Sequence, residues 1–111
     1  MNLGLRQDPD QLTLTPGIKF TASDGSEEVS RAVQEALDQG VRRILFDLSA
    51  VQLIDSLGVG QLMASYVSTT NRGGRMVLCR LSPRVALVLK TASLHLVLDI
   101  RDSAPEDVAW T

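Results

Sequence analysis

Apolar and polar residues alternate at the start of the chain, with apolar positions at Leu3 and Leu5 and again at Leu12 and Leu14, separated by Asp8-Pro9-Asp10. A period of two turns one face of each run toward a core, and proline between aspartates is a turn signal, so the pattern predicts an antiparallel β-hairpin. Pro16-Gly17 breaks the alternation, and Ile18-Lys19-Phe20 reads as a short third extended piece with Ile18 and Phe20 on one side. The period then lengthens. Val29, Ala32, Val33, Ala36 and Leu37 form a helical stripe that follows two capping candidates, Asp24 and Ser26. Glu27 and Glu28 suit its first turn and Gly40 marks its stop. Val41 to Leu48 contains the nearly continuous apolar run Ile44-Leu45-Phe46-Asp47-Leu48, the pattern of a central strand covered on both faces.

A second helix is predicted from Ser56 to Asn71, where Val59, Leu62, Met63, Tyr66 and Val67 share one stripe. Gly73-Gly74 ends it, and Arg75 to Arg80 supplies another short strand. Ser82-Pro83 is a cap followed by proline at the first helical position, with Val85, Val88, Leu89 and Ala92 facing inward. Leu96 to Arg101 reads as a last strand. Ser103-Ala104-Pro105-Glu106 has the spacing of a capping box and predicts a short terminal helix toward Trp110. Strands alternating with helices imply parallel neighbours joined by crossovers. The expected fold is α/β: a single mixed β-sheet with an N-terminal antiparallel hairpin and about four helices packed on it as crossovers, in one domain over residues 1–111.

Composition narrows the function. At 111 residues and 44% apolar content the chain is long enough for a real core. A net charge of -2 with the eleven Lys and Arg scattered argues against nucleic acid or an anionic membrane surface as the main partner. The apolar runs fall far short of a bilayer span, and Met1 to Arg6 lacks the regions of a signal peptide, so a cytoplasmic protein without membrane insertion is expected. The single Cys79 excludes an internal disulfide framework and suits a buried hydrophobe. One His and one Cys leave no metal constellation of the usual spacing.

The densest chemistry lies in Leu53-Ile54-Asp55-Ser56-Leu57-Gly58-Val59-Gly60. Asp55 and Ser56 are both N-cap types at the head of the second helix. A cap does not account for Gly58 and Gly60, each of which costs ~1 kcal/mol inside a helix relative to Ala. A dinucleotide fingerprint would need a third glycine where Met63 stands, and a hydrolase elbow would need glycine at Ile54. His95, the only base available to such a hydrolase, lies among Leu94, Leu96 and Val97 and reads as a core or edge histidine. No charged residue occurs between Asp55 and Arg72. Gln61, Ser65, Ser68 and Thr69 are read as an outer face, and its neutral character predicts partner docking at its N-terminal half.

Ile44 to Val51, then Ile54-Asp55-Ser56-Leu57-Gly58-Val59-Gly60, then Asn71-Arg72-Gly73-Gly74 resemble the STAS domain, and within it the bacterial anti-sigma factor antagonists. The likeness runs from Met1-Asn2-Leu3 to Trp110, although Leu57 stands where the family often has a second Ser or Thr. The resemblance implies that Ser56 is a phosphoacceptor and that the chain is a binder and substrate with no catalytic residue and no cofactor of its own. Its implied partners are an anti-sigma factor that is also a serine kinase of the histidine-kinase-like ATPase fold, which carries the ATP and Mg²⁺, and a serine phosphatase. Asp55 is expected to orient the serine or engage the kinase, Gly58 and Gly60 to keep the helix start low enough for a partner to reach the hydroxyl, and Leu57 and Gln61 to complete the partner-binding helix start. The family also contains STAS subunits that act as structural modules of stress-signalling assemblies or lipid transport complexes, which is the main alternative; a small ligand-binding or hydrolytic domain is the third.

Overall fold

In the computed structural model, residues 3–110 are described. Met1, Asn2 and Thr111, the ends of the expected single domain, lie outside the described residues. Strands β1 (Leu3–Gln7) and β2 (Gln11–Pro16) form the expected antiparallel hairpin, with Leu5 opposite Leu14. The main sheet continues through β4 (Arg43–Asp47), β6 (Arg75–Cys79) and β7 (Asp99–Arg101) in the order β1-β2-β4-β6-β7, all parallel from β2 onward. The central position of β4 agrees with its apolar run. Short strands β3 (Lys19–Phe20) and β5 (Leu53–Ile54) pair in parallel as a separate ribbon.

Helices α1 (Ser26–Asp38), α2 (Ser56–Asn71) and α3 (Pro83–Thr91) make the crossovers, and each advances the sheet by one strand in the same direction. Right-handed crossovers that all advance one way leave every helix on one face. Leu12, Leu14, Ile44, Phe46, Met76 and Leu78 line that face and bury against Val33, Leu37, Leu62, Val85 and Leu89. Leu45, Val77 and Cys79 point the other way and form a second buried cluster under Val108 and Trp110. No helix among the described residues is long and apolar enough to cross a membrane.

Several local expectations are corrected. Ile18 is 61% exposed and precedes the ribbon strand, so only Phe20 turns inward. The cap of α1 is Gly25, at φ 101, and not Asp24 or Ser26. Reciprocal backbone bonds between Thr21 and Asp24 close a tight turn there, and the left-handed residue that leaves it is glycine. The chain from Leu94 to Leu96 makes a 3-10 turn, and His95 lies exposed on it, outside the core, before the edge strand β7. Ser103 and Glu106 form no capping box: Ala104 precedes a single 3-10 turn, Pro105–Asp107, in place of a fourth helix. Ala92 is the exposed C-cap of α3, outside its inner stripe.

Candidate functional site

Asp55 adopts an extended conformation at the N-cap of α2 and divides its carboxylate between two backbone donors. The amide of Gly58 donates to Oδ1 at 2.8 Å, which caps the helix, and the amide of Ala22 donates to Oδ2 at 3.1 Å, which ties in the loop before α1. These two bonds, Gly58 first, outweigh partial burial and hold the carboxyl below the usual carboxylate range. A carboxylate so occupied is a poor proton acceptor. Ser56, the next residue, is the first of α2 and is exposed, as is Leu57.

The glycines have separate reasons. A Cβ on Gly58 would stand 2.2 Å from the Phe20 carbonyl oxygen and 2.9 Å from Ile54 Cγ1, so the close approach at this position comes from the chain itself. A Cβ on Gly60 would meet nothing within 4 Å, and Gly60 is exposed. The head of α2 is therefore packed from below at Gly58 and open above at Gly60.

The supposed outer face of α2 is corrected. Ser65 and Thr69 are buried at 2% and 0% exposure, and Gln61 is half-buried with Nε2 donating to Ser65 Oγ at 3.3 Å. Thr69 Oγ1 donates to the Ser65 carbonyl at 2.7 Å, and Gln34 of α1 donates to Ser68 Oγ at 2.9 Å. The polar atoms of these residues bond within α2 and, through Ser68, to α1. Solvent instead meets Ser56, Leu57, Gly60, Ala64 and Val67, a neutral ridge at helical spacing. Val67 is thus 49% exposed, although it belonged to the expected core stripe.

Other candidate groups lie elsewhere. Cys79 is fully buried, as its apolar surroundings imply, and burial raises its thiol pKa, with the Asp47 charge adding to the effect. Among the described residues no three His, Cys, Asp or Glu side chains gather as a metal site. The pattern reading missed one feature at the carboxyl ends of β4 and β6: Arg80, in the left-handed region at φ 53, donates to Asp47, whose amide partner is Ser49. The available signal was Asp47 itself, an acid inside a buried apolar run, since buried acids are rarely unpaired.

A profile of the STAS domain matches residues 19–106. The chain belongs to the STAS domain family. This STAS domain is 28% identical over 79 residues to the anti-sigma F factor antagonist of Paenibacillus polymyxa, which spans 67% of this chain and 68% of that relative. It is similar in fold to the anti-sigma factor antagonist SpoIIAA in its unphosphorylated form, with a TM-score of 0.79 at 18% identity, covering 96% of this chain and 93% of the other. The phosphorylated form of SpoIIAA, the Bacillus cell fate determinant, also gives a TM-score of 0.79, at 19% identity and over 96% and 95% of the two chains. The fold of this chain is equally similar to both forms.

Proposed function

We propose that the protein is an anti-sigma factor antagonist switched by phosphorylation of Ser56. The observation that carries this reading is the geometry of the α2 head, where Asp55 is held by Gly58 and Ala22 while the adjacent Ser56 is exposed as the first helical residue. The similarity to the Paenibacillus antagonist supports the class of partner. In the unphosphorylated form the neutral ridge from Leu57 to Val67 binds an anti-sigma factor, and the sigma factor is released. That anti-sigma factor is also the kinase, of the histidine-kinase-like ATPase fold, and brings ATP and Mg²⁺. The γ-phosphoryl passes from ATP to Ser56 Oγ, ADP leaves, and a kinase group takes the hydroxyl proton, because Asp55 is engaged. A serine phosphatase reverses the step, and the exchange takes place in the cytoplasm.

The sign of the switch follows from charge. A phosphate adds about -1.5 to -2 charges at pH 7, acceptable in water at a helix N-terminus but opposed inside an interface that meets a neutral ridge. Incubation of the parent and Ser56→Ala with the cognate kinase and ATP tests the assignment by intact mass. One added phosphoryl group on the parent and none on Ser56→Ala is expected; phosphate on another residue would overturn it.

A further inference from the structure

The sheet face opposite the helices is covered by the chain that follows β7. Val108 and Trp110 lie over Leu45, Val77 and Cys79, all fully buried. Arg75 donates to the Trp110 carbonyl, Arg101 donates to the Ala109 carbonyl at 3.0 Å, and the Arg43 guanidinium stands 5.7 Å from the centre of the Trp110 ring. Arg43 and Arg75 are register partners on β4 and β6, and Asp99 of β7 pairs with Arg75 at 3.5 Å and with Arg101 at 2.8 Å. The covering segment meets Arg43 and Arg75 with a carbonyl and an aromatic face, and it carries the exposed acids Glu106 and Asp107.

These contacts read a pattern more than a sequence. The arginines bond to main-chain carbonyls, and only two side chains, spaced i and i+2, enter the apolar floor. The segment is lightly built, with one 3-10 turn as its only regular structure and with Glu106, Asp107 and Ala109 exposed. Beside it an open cleft of about 340 Å³ separates Glu106 and Trp110 from Arg6, Gln11 and Thr13 of the hairpin, so part of the face is uncovered.

We propose that this helix-free face is a peptide-docking surface whose resident occupant is residues 103–110. A partner protein's extended segment of the same chemistry, acidic and then apolar-any-aromatic, displaces it. The surface lies across the sheet from the helix layer that carries Ser56, and the proposal does not depend on the function assigned to that serine.

The sole Cys and the sole Trp of the chain sit on the two sides of the contact and serve as its probes. In the chain carrying Val108→Ala and Trp110→Ala, a thiol reagent should label Cys79 at least tenfold faster than in the parent. A synthetic peptide Ser-Ala-Pro-Glu-Asp-Val-Ala-Trp should restore protection saturably, while a scrambled peptide should not. Labelling at the parent rate, or protection by neither peptide or by both, would overturn the proposal. If circular dichroism shows the double variant unfolded, the parent decides. The same peptide with Phe in place of Trp, at the ~mM effective concentration of a short tether, should displace the resident segment and red-shift Trp110 emission. No shift would overturn it.

Discussion

The carbonyl oxygen of Phe20 occupies the space that a Cβ on Gly58 would need, 2.2 Å away, so ribbon strand β3 and helix α2 meet backbone to backbone. Gly58→Ala must push the two elements apart, with a loss of ~1 to 3 kcal/mol in a packed site. Gly60→Ala meets nothing within 4 Å and should instead stabilise by up to ~1 kcal/mol through helix propensity. Urea denaturation of the two variants checks the contrast; the same sign for both would contradict this account of the helix head.

Phosphorylation of Ser56 should separate stability from binding. The phosphate joins free amides and the positive end of the α2 dipole, which offsets its repulsion from Asp55, so the melting temperature should stay within a few degrees of the parent. Affinity for the kinase should fall at least tenfold, or about 1.4 kcal/mol, with Ser56→Asp showing a smaller loss. Calorimetric melting and titration of the same samples measure both, and undiminished binding of the phosphorylated form would refute the switch.

The exposed ridge of α2 is a better place to probe docking than Gln61, one of the expected partner-binding positions, because Gln61 is half-buried and bonds to the buried Ser65. Ala64→Lys replaces one good helix former by another at an exposed position, so unfolding should be nearly unchanged. Partner affinity should drop at least tenfold because a charge enters the centre of a neutral contact. Equal affinity for Ala64→Lys and the parent would remove this ridge from the interface.

Acid should weaken the fold through Asp47. Burial pushes its carboxyl up, but the Arg80 and Ser49 hydrogen bonds and the Arg80 charge together hold it below the ordinary value. A carboxyl whose pKa is lower in the folded than in the unfolded chain contributes stability above its unfolded value, near 3.9, and loses it as pH falls through the folded one. Asp55 adds in the same direction. Asp47→Asn should therefore be less stable than the parent at pH 7, and its stability should fall less steeply between pH 5 and pH 2. Denaturant titrations across that range test this, and parallel curves would assign the acid sensitivity to other groups.

What was legible in the sequence depended on how local the cause was. The hairpin through Leu5 and Leu14 and the Ser82-Pro83 start of α3 follow from period and capping within a few residues, and both stand in the structure. Asp55 as a cap was equally local. Its second partner, Ala22, was invisible because a fold contact brings it there across 33 residues. Ser65 and Thr69 were misplaced for a related reason: hydropathy turns small hydroxyl residues outward, whereas here Thr69 bonds back to the Ser65 carbonyl and packs beside Gly74, so both lie buried. The terminal capping box failed because the sheet arginines hold the chain beyond it by its carbonyls, in place of a helix.

The bond between Asp55 and Ala22 implies that the surface around Ser56 is composite. A peptide copying Leu53 to Gly60 would carry the hydroxyl without the loop at Ala22 or the backbone of Phe20 that fixes the helix head. On the proposed function, an unfolded or half-made chain would be a poor phosphate acceptor, and the kinase would act as an inspector of finished molecules. The pool that it inactivates would then count folded copies alone.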